Sequence, residues 1–315
     1  MINNTIVYNL ENTSNNSSDS FLEELPIRLR GRAEWWELKR ADIILINQIG
    51  EGSVGVVYKT LWRGLDTACK FLKKSATETD LNDLQNEVDI ISHLRHPNLV
   101  LFLGACTNDP LLLLYEYLPL GSLDNYYKTQ SNIIKKLWKP NNNLIYKWNH
   151  ELSQAIYFLH SCHYPIMHRD IKPSNILLTN DLHIKITDFG LSKTIKKKHD
   201  YYKMSGCVGT LRYMAPEVIN NKDYDLKIDI YSLSLIFWFI YTGLLPYENI
   251  IDNKDMPIHI INGLRPDHTL IKCKKLQILI INMWNEEPEL RPNMKSVLNS
   301  IENLEFKKEK SCIII

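Results

Sequence analysis

Gly50-Glu51-Gly52-Ser53-Val54-Gly55-Val56-Val57 can belong to either of two folds. Its G-x-G-x-x-G spacing joins a strand to a helix in dinucleotide-binding folds, and elsewhere it forms the tip of a hairpin. The flanks separate the readings. Ile43-Ile44-Leu45-Ile46 precedes the loop and Val56-Val57-Tyr58 follows it. β-branched residues after the last glycine favour a second strand, so the loop reads as a hairpin tip whose backbone amides can cover phosphates. A third strand, Ala68-Cys69-Lys70-Phe71-Leu72, is predicted after a turn at Arg63-Gly64. Lys70 interrupts this apolar run, and an inward lysine needs an anionic partner.

Periodicity supplies that partner. In a helix predicted around residues 79–94, Leu84, Val88 and Ile91 share an apolar face, and Glu87 lies on its edge. Two separate, solvated charges are the default for a random Lys and Glu; inward placement argues for a pair. An apolar strand over residues 111–115 then runs into Glu116-Tyr117-Leu118-Pro119-Leu120-Gly121, a connector before Ser122, which is expected to cap a helix. Beyond Gly121 the pattern is mostly helical apart from one hairpin near residues 176–186. A small β-rich lobe followed by a larger α-rich lobe, an α+β architecture, is expected.

A second polar loop, His168-Arg169-Asp170-Ile171-Lys172-Pro173-Ser174-Asn175, lies between a helix carrying Trp148, Leu152, Ile156 and Leu159 at helical spacing and the strand Ile176-Leu177-Leu178. Pairing that strand with Ile184-Lys185-Ile186 across Thr179-Asn180-Asp181 predicts Asn175 opposite Asp188. Two hard oxygen donors there suit Mg²⁺, which commonly takes few protein ligands and completes its shell with phosphate and water. Singly, Asp170, Asn175 and Asp188 read more readily as turn residues bonded to local backbone; only their convergence points to a site.

The glycine loop, Ala68-Cys69-Lys70, Glu87, the His168–Asn175 segment, Asp188-Phe189-Gly190 and Ala215-Pro216-Glu217 together resemble the eukaryotic protein kinase signature, in order and spacing, over roughly residues 43–304. Trp36, Leu94-Arg95-His96-Pro97-Asn98-Leu99-Val100 and Met283-Trp284 look most like the tyrosine-kinase-like group of serine/threonine kinases; one family Glu after Trp238 is replaced by Phe239. The resemblance implies the bilobal kinase-like fold, with a small antiparallel β-sheet N-lobe carrying one long helix and a mostly helical C-lobe. It implies ATP and Mg²⁺ as cofactors and protein substrates as partners. Lys70 would bind the α and β phosphates, oriented by Glu87; Asn175 and Asp188 would hold Mg²⁺; Asp170 would accept the substrate hydroxyl proton. Lys172 would offset charge on the γ-phosphoryl, and Lys172 with Thr210 looks like the serine/threonine pattern. Ile49, Gly50, Glu51, Gly52, Ser53, Val54, Gly55, Val56 and Val57 would cover the nucleotide. Ala68 and Val57 above and Leu177 below would enclose the adenine, against backbone from Glu116 to Leu118, with bulky Tyr115 closing the pocket behind. Asp229 would pair with the polar loop, and Arg291 with Glu217. Arg169 asks for a phosphate on the segment from Asp188 to Glu217, where Ser192, Thr194, Tyr201, Tyr202 and Ser205 offer hydroxyls. A pseudokinase scaffold would typically lack a catalytic group, and none is missing; a dual-specificity enzyme would change only the acceptor.

Composition limits the alternatives. With 37 Lys and Arg against 36 Asp and Glu, the net charge of +1 excludes a globally basic nucleic-acid binder. Six scattered Cys without a C-x-x-C pair fit reduced thiols and no structural metal. Met1-Ile2-Asn3-Asn4 lacks a basic start to an apolar stretch, so no secretory leader and a cytoplasmic location are expected. The apolar run over residues 230–245 is too short for a membrane span and reads as a buried helix, with Phe237, Trp238 and Phe239 filling the core. The expected organisation is a disordered polar tail over 1–33, a kinase domain over 43–304 (N-lobe 43–117, C-lobe 121–304) and a C-terminal tail over 305–315. Cys312-Ile313-Ile314-Ile315 fits the C-a-a-X pattern, so membrane attachment is expected only if Cys312 is prenylated.

Overall fold

The computed structural model describes residues 36–51, 55–72, 78–107, 111–195, 211–250 and 255–304. β1 (Ile43–Glu51) and β2 (Gly55–Trp62) form the expected antiparallel hairpin, with Gly50 opposite Val57. Arg63 and Gly64, at φ 50° and 81°, make the two-residue turn into β3 (Leu65–Leu72), a conformation matched to strand twist. Gly55 is required by close approach, since a Cβ there would lie 2.6 Å from the Phe71 carbonyl oxygen. β4 (Phe102–Cys106) and β5 (Leu112–Glu116) complete a five-stranded sheet of order β1-β2-β3-β5-β4.

α1 (Glu78–Ile91) lies between β3 and β4 in the chain and buries Leu84, Val88 and Ile91, the face that periodicity predicts. It stops three residues short of the expected Leu94. Leu94 N bonds Ile91 O in a tighter turn, and Pro97 follows close behind.

Before the sheet, residues 36–38 run parallel to β4. Leu38 N donates to Ala105 O at 2.7 Å and Ala105 N to Trp36 O at 2.9 Å. Gly104 makes this docking feasible, because a Cβ there would sit 2.6 Å from both Trp36 O and Leu38 Cγ, on a backbone at φ +150°. Gly104→Ala is therefore expected to destabilise the protein by about 2 kcal/mol, the scale of overpacking at a rigid backbone contact. A denaturant titration reads this directly, and a change below about 0.5 kcal/mol would show that the strap yields freely.

After the connector come α2 (Leu123–Ile134) and α3 (Asn142–His160). Ser122 occupies the N-cap position of α2, but its hydroxyl donates to Asp124 Oδ1 at 2.7 Å instead of accepting a helix amide. Asn141 caps α3, accepting from Leu144 N at 2.9 Å. Trp148, Leu152, Ile156 and Leu159 of α3 are all fully buried. β6 (Ile166–Met167), β7 (Ile176–Leu178), β8 (Ile184–Ile186) and β9 (Lys193–Thr194) follow. β7 and β8 form the expected hairpin; the β6–β9 pair was not foreseen.

The helical lobe continues with α4 (Pro216–Ile219), α5 (Lys227–Thr242), α6 (Met256–Ile261), α7 (Lys274–Met283) and α8 (Met294–Glu302). α5 is the buried helix anticipated from composition: Phe237, Trp238 and Phe239 are at most 3% exposed, and Gly243 at φ 72° ends it. Among the described residues no helix is long and apolar enough to cross a membrane, and Cys69, Cys106, Cys162 and Cys273 are free thiols.

Candidate active site

β3, α1 and the segment after β8 deliver one cluster of charge. Lys70 Nζ lies 2.6 Å from Glu87 Oε2 and 2.9 Å from Asp188 Oδ1. Glu87 is not at the edge of the α1 face but 1% exposed, drawn inward by two donors, since the Tyr115 hydroxyl donates to its Oε1 at 2.6 Å. Burial disfavours the Lys70 ammonium, yet the two carboxylates outweigh it and hold its pKa above the usual lysine range. In return Lys70 holds the Asp188 carboxyl below the usual carboxylate range.

The polar loop between β6 and β7 is fixed from below. Asp229, at the start of α5, accepts the backbone amides of His168 and Arg169, each at 2.9 Å, and faces His160 Nε2 at 2.9 Å. Burial opposes its charge, but His160, His168 and the Arg169 amide prevail and keep the carboxyl acidic. These bonds hold Arg169 at φ +69°, a conformation a non-glycine residue adopts only under external constraint. Phe189 packs edge-on against the His168 ring at 5.0 Å. On this frame Asp170 accepts Lys172 Nζ at 2.7 Å and Asn175 Nδ2 at 2.9 Å.

The expected register of the β7–β8 hairpin is wrong by one residue. Ile176 pairs with Ile186, which sets Asn175 opposite Thr187, and Thr187 N donates to Asn175 O at 3.0 Å. Asn175 directs its amide nitrogen to Asp170, leaving its oxygen for another partner, while Asp188 comes one residue later at φ +69° with its carboxylate on Lys70. Asp188 remains 43% exposed at the side chain. Among the described residues no cluster of three His, Cys, Asp or Glu could hold a metal. One amide oxygen and one accessible carboxylate nevertheless fit Mg²⁺ carried on a phosphate chain, which needs few protein ligands.

Other expected residues fall as follows. Ile49, Gly50 and Glu51 end β1; Gly55, Val56 and Val57 begin β2. Val57 faces Lys70 across one ladder, and Ala68 faces Tyr115 across the next. Leu177 bridges to Ser122, and Leu178 N bonds Gly121 O at 2.9 Å, so the hairpin is stitched to the end of the connector beside buried Leu118. The Glu116 carboxylate turns one oxygen, Oε1, to Lys185 Nζ at 2.6 Å and to Leu101 N at 2.7 Å. Gly52, Ser53, Val54 and Thr210 lie outside the described residues, as do Tyr201, Tyr202, Ser205, Cys312 and both tails. Ser192 does not offer a hydroxyl: it is fully buried, and its Oγ bonds His168 O at 3.2 Å. Glu217 takes a two-pronged contact from Arg291, at 2.6 and 2.8 Å, as expected.

Sequence reasoning missed the Tyr115 hydroxyl, His160 and the Lys185–Glu116 pair. A histidine eight residues before another at the foot of a helix carries no signal of its own, and a lysine in an exposed-looking hairpin reads as solvated.

The family described as protein tyrosine and serine/threonine kinase matches residues 43–301. The chain is 36% identical over 279 residues to the serine/threonine-protein kinase VIK of Arabidopsis thaliana, covering 85% of this chain and 62% of that relative. It is 31% identical over 271 residues to the serine/threonine-protein kinase STY46 of the same plant, covering 85% of this chain and 45% of STY46. The chain thus spans less than two thirds of the length of these relatives. With the family match running from the first strand to the last helix, this chain belongs to the protein tyrosine and serine/threonine kinase family.

Proposed function

We propose that the protein is an ATP-dependent kinase that transfers the γ-phosphoryl group of ATP to serine and threonine hydroxyls of protein substrates. The observation that carries this reading is the assembled pair of charge clusters: Lys70 between Glu87 and Asp188, and Asp170 between Lys172 and Asn175. Its catalytic domain is 43–304, divided between lobes at 117 and 121, with tails over 1–33 and 305–315.

Glu87 holds the Lys70 ammonium where it can bind the α and β phosphates. Asn175 and Asp188 are the residues that would hold Mg²⁺, which would neutralise phosphate charge when bound. Asn175 Nδ2 also orients the Asp170 carboxylate, the acceptor for the proton of the attacking hydroxyl. Lys172, at 2.7 Å from Asp170, offsets charge developing on the transferred group and, with Thr210, favours Ser and Thr acceptors. Val57 and Ala68 on one side and Leu177 on the other enclose the adenine, and Ile49 to Val56 cover the phosphates. Tyr115, 7% exposed, closes the pocket behind.

The purified chain with Mg²⁺, γ-labelled ATP and a generic basic protein acceptor should yield phosphoserine and phosphothreonine on acid hydrolysis. Phosphotyrosine beside them would make the enzyme dual-specific, and no labelled acceptor would overturn the reading. Lys70→Met is expected to lower kcat/KM at least about 10²-fold and to cost about 3 kcal/mol of stability, because it strands a buried Glu87 carboxylate without its cation. A melt and a rate measurement on the same preparation check both, and an unchanged melt would show that Glu87 finds another partner.

A further inference from the structure

Tyr115 is held by its two neighbouring strands and by one aromatic ring. Backbone pairing fixes it between Ala68 on β3 and Phe102 on β4. Phe102 packs edge-on against it at 5.9 Å between centroids, and Trp36 packs edge-on against Phe102 at 6.3 Å. Trp36 itself belongs to the strap seated on the bare backbone of Gly104. From the ring so held, the hydroxyl reaches Glu87 on α1, 28 residues away in sequence, at 2.6 Å. Glu87 divides its two oxygens between this hydroxyl and Lys70. Burial, followed by the nearby Glu87 charge, pushes the phenol pKa well above its usual value, so the group donates at every working pH.

We propose that Tyr115 is a positioning residue: its hydroxyl holds Glu87 against Lys70, and the strap of residues 36–38, through Phe102, holds the ring that carries the hydroxyl. The direction of Glu87 is then set from the back of the sheet, by a segment that precedes the first strand. A phenylalanine at 115 would fill the same space and leave Glu87 Oε1 buried without this donor, a state a carboxylate relieves by turning away. The contact to Lys70 and the packing of α1 would loosen together. This role rests on the kinase reading for its effect on turnover, but not for its effect on α1.

The test uses the full chain as Tyr115→Phe, Trp36→Ala, Glu87→Ala and the double variants. Tyr115→Phe is expected to lower kcat about tenfold, with KM for the protein acceptor within about twofold of wild type and a melting midpoint within a few degrees. Amide exchange over residues 84–91 should quicken about tenfold. In the Glu87→Ala background, which leaves the hydroxyl nothing to hold, the same substitution should cost nothing further, and Trp36→Ala should add nothing to Tyr115→Phe; a filler of space would instead give independent, additive losses. Unchanged exchange in Tyr115→Phe, or a kcat loss undiminished in the Glu87→Ala background, would overturn the proposal. A wild type without turnover would defeat the kinase reading, and the exchange measurement alone would then decide the role of Tyr115.

Discussion

Asp170→Asn is expected to lower kcat about 10³-fold while leaving the melting midpoint within about 2 °C of wild type. The carboxylate is 8% exposed and receives two donors, Lys172 Nζ and Asn175 Nδ2. Both donors bond the same oxygen, Oδ2, so an amide of the same shape can keep an oxygen for them but cannot take up a proton, and general-base assistance is worth about 10²–10⁴-fold. Backbone geometry of the loop should survive, because it depends on Asp229, which bonds the amides of His168 and Arg169. Steady-state rates beside a thermal melt separate the two effects. Retention of more than a tenth of wild-type kcat would remove Asp170 from its role, and a collapsed melt would recast it as structural.

The largest stability effect is expected at Arg291. Its side chain has no exposed surface, grips both Glu217 oxygens, and also donates to the carbonyls of Asn285, Lys227 and Glu286. The guanidinium further lies 5.1 Å from the Tyr231 ring centroid. Arg291→Met fills much of the volume but leaves the Glu217 carboxylate buried without a counter-ion and three carbonyls without this donor. Breaking one side of such a pair costs about 3–5 kcal/mol, which lowers the melting midpoint by roughly 10 °C in a domain of this size. Arg291→Met with Glu217→Gln should recover part of the loss, because the stranded charge goes with its partner. A single variant that melts within about 2 °C of wild type would show that the pair contributes little.

Most of the fold was legible because its signals are local. β-branched residues on both sides of the glycine loop settle strand against helix, and a single apolar face over Leu84, Val88 and Ile91 brings Glu87 inward toward the strand that carries Lys70. The polar loop was legible as a concentration of charge between two apolar elements. What stayed hidden depends on distances that no period encodes. The β7–β8 register moved by one because five residues, 179–183, can turn in several ways, and Leu182 adopts φ +57° to make this one. Ser192 reads as a loop hydroxyl open to modification, yet Asn86 Nδ2 on its carbonyl at 2.8 Å and the His168 carbonyl on its hydroxyl hold it inside. Tyr115 announces its bulk in the sequence but not the reach of its oxygen to α1. The strap of residues 36–38 has no strand pattern of its own and is fixed by the absence of a side chain at Gly104.

Calorimetric titration of a non-hydrolysable ATP analogue, with and without Mg²⁺, probes the proposal that Lys70, Asn175 and Asp188 serve one phosphate chain. Wild type should bind at least about tenfold more tightly with Mg²⁺ present, and Asp188→Asn should lose most of that difference while still binding the analogue through Lys70 and the adenine pocket. Affinity indifferent to Mg²⁺ in the wild type, or an undiminished Mg²⁺ effect in Asp188→Asn, would contradict the site as described.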